Sequence, residues 1–173
     1  MMLVINNKSV ICNLSSRNNT TMIGKLTEAG SEEVLKQNVF GHVGCNDGFN
    51  TYIFPINYVF DGRHIICHSH KGSKVQIMQR NKRVCFQVDD VKDFIHWKSV
   101  MVLGQYQELH DSREKYNAMK LFSEHMIHLK SKKEVSGVEI QEKPEHPGFA
   151  NESQYVIYRI VIDEISGRYE DGY

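Results

Sequence analysis

Apolar residues in this chain occur in short runs separated by turn signals, a pattern typical of antiparallel strands. The longest run spans residues 51–60, and an Asp61-Gly62 turn joins it to a second run at 64–69. Because residues 51–60 are apolar on both faces, we expect that strand to be covered on two sides, as in a barrel wall against a second subunit. Further strands are predicted at 42–45, 84–88, 97–109 and 155–162.

Helical spacing appears in three places. Residues 27–38 predict a short helix that carries acidic residues near its start, and 73–80 predict a second helix, with Asn81 in the left-handed conformation after its end. Asp111 is expected to cap a third helix and to form a capping box with Glu114. The apolar stripe of this third helix is predicted to comprise Tyr116, Met119, Phe122, Met126 and Leu129.

About six strands with few, short helices predict a mainly β fold, a small six-stranded antiparallel barrel. Gly104 is expected at a bulge or bend in the long strand. We expect a flexible N-terminal arm at 1–21, one barrel domain at 22–165 and a C-terminal tail at 166–173.

Composition narrows the class of protein. The 173 residues include 21 basic and 21 acidic side chains, so no bulk charge attracts nucleic acid or a membrane surface. The four cysteines are scattered, and two lie in strand runs where a reduced thiol is expected. No signal-peptide core or run of 18 apolar residues is present. These features favour a cytoplasmic protein.

The segment Lys71-Gly72-Ser73-Lys74 precedes and enters the second predicted helix. Backbone N–H groups at a helix N-terminus favour an anion, and a compact ammonium group beside them favours it further. A lysine in a first turn otherwise opposes the helix dipole. We therefore predict that Lys74 binds a phosphate, whereas Lys71 is expected to be solvated.

Three histidines share one strand face: His64, His68 and His70. A metal site is not expected, because His64 adjoins the Asp61-Gly62 turn and no carboxylate follows at ligand spacing. His68 is interpreted either as a hydrogen-bond donor to a ligand or as a half-exposed imidazole that caps the turn.

Asn57 interrupts an apolar strand, so its carboxamide is expected to be buried with a partner, either a ligand or a neighbouring strand. Tyr58 and Trp97 are expected in the core or beside a planar ligand. No serine or cysteine nucleophile with its base is recognisable, and no dinucleotide fingerprint is present.

Residues 51–104 carry a composite pattern. It comprises Phe54-Pro55-Ile56-Asn57-Tyr58-Val59, Asp61-Gly62, His68-Ser69, Gly72-Ser73-Lys74, Asn81 to Phe86 and Trp97 to Gly104. In order and spacing this pattern resembles the pyridoxamine-phosphate-oxidase-like family of flavin-binding split barrels. Within that family it is most similar to the subgroup of nitroimidazole-resistance proteins.

The resemblance implies a homodimer with two sites for FMN, or FAD, at the subunit interface. It places the flavin ring against the backbone of Pro55, Ile56, Asn57 and Tyr58. It places the phosphate near Cys67, His68, Ser69 and Lys74, and it lets Ser99 contact the ring or its ribityl tail. Position 73 is Ser and the C-terminus lacks the Trp/Arg/Pro ending of true pyridoxamine phosphate oxidases, so we do not expect pyridoxamine phosphate as substrate.

Three functional hypotheses follow. The first is an FMN-dependent oxidoreductase that reduces a small nitro or conjugated electron acceptor, with His68 near the flavin. The second is a non-catalytic flavin or haem carrier. The third is a cofactor-free dimer with a repurposed pocket. In the first hypothesis the cofactor performs the chemistry, and the protein holds it and excludes water.

Overall fold

The computed structural model of the protein describes residues 23–135 and 155–172, so the predicted arm and part of the tail lie outside the described residues. Its helices are α1 (Glu28–Gln37), α2 (Ser73–Arg80) and α3 (Ser112–Val135). Its strands are β1 (Ile23–Lys25), β2 (Phe40–Asn46), β3 (Thr51–Phe60), β4 (His64–His70), β5 (Arg83–Val91), β6 (His96–Glu108) and β7 (Tyr155–Asp171). No helix within these ranges is long and apolar enough to cross a membrane.

The strands form one antiparallel sheet with the order β1-β7-β4-β3-β2-β5-β6, and β6 also pairs with β7, which completes a ring. The mainly β antiparallel barrel expected from the sequence is therefore confirmed, with seven strands in place of six. The additional strand, β1, has three residues, too few for a recognisable alternation. The predicted irregularity at Gly104 is present as a register shift between Leu103 and Gly104.

The main core lies inside the ring of strands. Tyr58 of β3 and Phe86 of β5 pack edge to face there, with ring centroids 4.7 Å apart. Val34 and Leu35 of α1 and Val75 and Met78 of α2 join the same cluster. A second, smaller cluster lies outside the ring, where α3 packs on β3, β4 and β7 through Val59, Ile66, Leu109, Ala118, Leu121, Phe122 and Ile157.

One surface of the barrel remains apolar and exposed. Strand register aligns Ile53, Gly44, Cys85 and Leu103 in one row across β3, β2, β5 and β6. Ile53 is 72% exposed and Leu103 is 40% exposed. Phe40 and Met101 project from the same side of the sheet. We call the exposed set Phe40, Ile53, Met101 and Leu103 the outer face.

Three local expectations are wrong in whole or in part. Asn81 is extended (φ −125°, ψ 102°), and its side chain donates to the Asn46 carbonyl oxygen (3.0 Å) and accepts from the Arg83 N–H (3.2 Å). Asp111 caps α3 as expected, but the Glu114 carboxylate accepts from Arg159 (3.3 Å) and does not complete the capping box. Of the predicted α3 stripe, Phe122 packs on the second cluster beside Ala118 and Leu121, whereas Tyr116 is 68% exposed and the side chain of Leu129 lies outside the described residues.

The C-terminal end also differs from the expected tail. Residues 166–171 continue β7, where they pair with both β6 and β1. Arg168, for example, lies opposite Ser99 of β6 and Lys25 of β1. This part of the chain therefore belongs to the barrel wall.

Candidate functional site

The N-terminus of α2 differs from those of the other two helices. Thr27 caps α1 by accepting a hydrogen bond from the Gly30 N–H (3.1 Å), and Asp111 caps α3 by accepting from the Arg113 and Glu114 N–H groups (2.9 Å each). Gly72, which precedes α2, has no side chain to do this, and α2 has no acidic residue in its first turn. The first N–H groups of α2 therefore have no capping side chain to accept their hydrogen bonds.

Lys74 lies in this first turn and is half-buried. Partial burial lowers the pKa of its ammonium group, and the thiols of Cys67 and Cys45 nearby act weakly in the opposite direction. Within the described residues, no carboxylate lies within ion-pair distance of Lys74. The uncapped helix end and a desolvated cation thus add their positive potentials at one place.

Near the end of β4, Cys67 and Ser69 can offer a ligand mainly their backbone groups, because their side chains are buried or already hydrogen-bonded. Cys67 is fully buried, and burial raises the pKa of its thiol to about 12, so the group is a neutral core residue. The Ser69 hydroxyl donates to the His70 carbonyl oxygen (3.2 Å). The structure describes Cys45, Cys67 and Cys85 as free thiols.

His68 is held by aromatic rings. Its imidazole stacks on Tyr155 with centroids 4.9 Å apart and planes at 11°, and the edge contact with Phe122 has a centroid distance of 6.4 Å. Burial, aided by the charge of His70, lowers the pKa of His68, so its imidazole is neutral at neutral pH. Neutral imidazole offers one donor and one acceptor.

The four residues of β3 that were predicted to contact a flavin, Pro55 to Tyr58, alternate between the two sides of the sheet. Ile56 and Tyr58 face the core, so they can contact a ligand through backbone alone. The interpretation in which the Tyr58 ring flanks a flavin is wrong, because that ring is fully buried. Asn57 was expected to be buried but is exposed, since its position places it outside with Pro55.

Ser99 and Trp97 lie elsewhere on the barrel. Ser99 accepts a long hydrogen bond from Gln87 (3.4 Å), and the Trp97 indole N–H donates to Glu170 (2.8 Å). On β7, the residue opposite Ser99 lies eleven residues beyond the residue opposite His68. Counted the other way round the ring, β5, β2 and β3 lie between β6 and β4, and the ladders place Ser99 about four strand spacings, ~19 Å, from His68.

Sequence reasoning missed the two aromatic residues that surround His68. Phe122 was assigned to the packing stripe of α3 and Tyr155 to the start of a strand, and neither assignment signals a contact with β4. The three histidines of β4 do not form a cluster of metal ligands. His64 contacts Asp61 (3.1 Å), and the described part of the chain contains no group of three metal-ligating side chains.

Comparisons with known proteins give the family and the fold. A family model described as pyridoxamine 5′-phosphate oxidase matches residues 27–169. An uncharacterized protein of Rhizobium meliloti (strain 1021) is 30% identical over 128 residues, 72% of this chain and 79% of that protein. An FAD-binding protein of Mesorhizobium loti is 27% identical with a TM-score of 0.67, over 87% of this chain and 98% of that one.

Two more distant structures share the fold. An FAD-binding protein of Mycobacterium smegmatis is 20% identical with a TM-score of 0.58, over 84% of this chain and 96% of that one. A candidate 5-nitroimidazole antibiotic resistance protein of Bacteroides thetaiotaomicron is 18% identical with a TM-score of 0.63, over 92% and 96% of the two chains.

Proposed function

The chain belongs to the pyridoxamine 5′-phosphate oxidase family, and we propose that it binds a flavin, FMN in the first instance, with the phosphate at the N-terminus of α2. The observation that carries this proposal is the half-buried Lys74 beside uncapped N–H groups. A phosphate dianion accepts hydrogen bonds from both and offsets the desolvation of the ammonium group. FAD is the alternative ligand, since the relative from Mesorhizobium loti is named as FAD-binding.

Most of the other predicted flavin contacts are residues of β3 and β4. Pro55 and Asn57 project from β3, and the neighbouring strand β4 carries His68 and Ser69 near its C-terminal end. We place the flavin ring along this outward side of β3, where the Asn57 carboxamide can pair with the polar edge of the ring. The backbone of Ile56, Tyr58 and Cys67 completes the proposed binding site. A bound flavin supplies two-electron chemistry that no side chain here provides.

We also propose a homodimer formed through the outer face. Phe40, Ile53, Met101 and Leu103 expose apolar surface that would be buried against a second copy. Dimerisation would also give Ser99 a role, because it lies on the same side of β6 as Met101 and Leu103 and would face the partner subunit. Ser99 of the partner subunit is then the residue that meets the ring or ribityl tail.

The proposed activity is reduction of a small nitro or conjugated acceptor by flavin that NAD(P)H has reduced. It is supported by the sequence resemblance to nitroimidazole-resistance proteins and by the shared fold. His68 adjoins the proposed ring position with a neutral imidazole, so it can donate a hydrogen bond to an acceptor molecule.

Titration with FMN and with riboflavin tests the phosphate site. We expect Lys74→Met to weaken FMN binding by at least about tenfold and to leave riboflavin binding unchanged, because one charge-assisted contact is lost. The matched control is Lys71→Met, which removes an exposed lysine of the same turn. Equal FMN affinity in wild type and Lys74→Met would refute the site.

Absorbance of the purified protein tests the cofactor class. A flavin spectrum is expected, and mass spectrometry of the released chromophore distinguishes FMN from FAD. A Soret band would instead support the haem carrier, and a colourless protein that binds no added flavin would support the repurposed dimer. Bleaching by NAD(P)H followed by reoxidation with a nitroimidazole supports the activity; a flavin that no acceptor reoxidises contradicts it.

Sedimentation equilibrium tests the dimer. We expect wild type to be dimeric and Ile53→Lys to be monomeric, because the substitution places a charge at the most exposed residue of the outer face. The control is Tyr116→Lys, which changes an equally exposed residue on α3, away from that face. A monomeric wild-type protein, or a dimeric Ile53→Lys variant, would exclude this interface.

A further inference from the structure

A cluster of four rings joins β4, β7 and α3 beside the proposed flavin site. Tyr155 lies directly opposite His70 in the β4–β7 ladder, and the two rings are 4.1 Å apart. The same tyrosine stacks on His68, its diagonal neighbour, at 4.9 Å. Phe122 of α3 approaches His68 from another side. Diagonal cross-strand neighbours are within reach of aromatic side chains, which explains how one tyrosine contacts both histidines.

We propose that Tyr155 is a positioning residue for His68: it fixes the plane of the imidazole and shields it from water at the flavin site. This inference rests on the proposed function, because His68 requires a fixed orientation if it hydrogen-bonds an acceptor molecule. Tyr155 is assigned no contact with flavin or acceptor. It acts through the imidazole alone.

The surroundings of His68 explain why the ring would need such support. Among the described residues, the rings that contact His68 or lower its pKa belong to His70 on its own strand, Tyr155 on β7 and Phe122 on α3. None of these is a carboxylate, and no described side chain donates a hydrogen bond to His68 or accepts one from it. Stacking and edge contacts therefore set its orientation, a task that hydrogen bonds usually perform for a functional histidine.

Shielding by the same rings has a chemical consequence. A half-buried imidazole without a counterion is held neutral, and neutral imidazole keeps one nitrogen able to donate and one able to accept. An exposed imidazole at mildly acidic pH would be a cation with two donors. The Tyr155 ring thus keeps His68 in the form that can both give and receive a proton during reduction of an acceptor.

NMR of the histidine rings in the flavin-free protein tests the inference directly, with His68→Gln to assign the His68 signals. Stacking on Tyr155 shifts those signals upfield, and this shift should persist in Tyr155→Phe. It should disappear in Tyr155→Leu, which retains apolar bulk without an aromatic ring. In Tyr155→Ala the shift should also disappear and the pKa of His68 should rise towards 6.5, its ordinary value.

Turnover of the flavin-loaded protein supplies the second readout. Tyr155→Leu should lower kcat for acceptor reduction about tenfold through loss of orientation while FMN affinity is retained, and Tyr155→Phe should restore kcat. Folded Tyr155→Leu protein with unchanged His68 signals, or with unchanged kcat, would overturn the inference. Failure of wild type to bind flavin would overturn the proposed function instead, and the flavin-free NMR result separates the two.

Discussion

The Tyr58 hydroxyl donates a hydrogen bond to the Leu35 carbonyl oxygen, 3.0 Å away in the core. Leu35 lies in the last turn of α1, where backbone carbonyls have no partner within the helix. The neighbouring Val34 carbonyl is satisfied by the Asn38 side chain (2.9 Å). The Tyr58 hydroxyl therefore links β3 of the barrel to the C-terminal end of α1 through a buried hydrogen bond.

Tyr58→Phe should lower the free energy of unfolding by about 1–3 kcal/mol, because the buried Leu35 carbonyl loses its partner. Flavin affinity should not change, since the ring points away from the proposed site. Urea denaturation measures the first quantity and FMN titration the second. Tyr52→Phe is the control: its hydroxyl donates to Asp47 (2.9 Å) at the surface, and its loss should matter little.

The architecture was largely predictable because its signals are local. The Asp61-Gly62 turn between two apolar runs predicted the β3–β4 hairpin, and that hairpin is present. Helical spacing located α1 and α2. The bulge at Gly104 followed from a glycine inside a long apolar strand. Each of these features depends on neighbours within a few residues.

Orientation within the site was not predictable, because it depends on partners distant in the chain. Asn57 and Tyr58 were both expected at a ligand, yet alternation along β3 sends one side chain outward and the other inward. Which side is the core depends on the other strands of the ring. The contact of Tyr155 with His68 depends on the β4–β7 register, and no local pattern encodes that register.

Gly104→Ala should destabilise the barrel by about 1–3 kcal/mol. An added Cβ would collide with the Val161 backbone carbonyl and approach the Ile160 side chain to 2.8 Å, and a backbone atom cannot rotate away. Gly44→Ala is the matched control, because its Cβ would meet nothing closer than 3.6 Å. Thermal unfolding of both variants in parallel checks the contrast; equal melting temperatures would contradict it.

Lys74→Met should leave the flavin-free protein as stable as wild type or more stable. Half-burial disfavours the charged ammonium group, and a thioether carries no such cost. Added FMN should raise the melting temperature of wild type but not of the variant, since a ligand that binds the native state alone stabilises it. Loss of stability without ligand would mean that Lys74 has a structural role instead.

His96 joins the β5–β6 turn to the end of β7. Its Nδ1 lies 2.8 Å from both Asp93 carboxylate oxygens, and its Nε2 lies 3.1 Å from the Gly172 carbonyl oxygen. Both partners only accept hydrogen bonds, so the ring must donate from both nitrogens, and only the imidazolium form can do so. The hydrogen bond to Asp93 accordingly raises the pKa of His96 above 6.5.

A group whose pKa is raised by folding stabilises the fold fully below its unfolded value and loses that contribution as pH rises through the folded value. The unfolding free energy of wild type minus that of His96→Gln should therefore be constant below pH 6.5, down to the acidic range in which Asp93 protonates, and shrink above pH 6.5. High salt should reduce the difference, because the pair is exposed. His110→Gln is the matched control, because it replaces an exposed histidine with glutamine in the same way. A difference that grows above neutral pH would show that His96 is neutral in the folded protein.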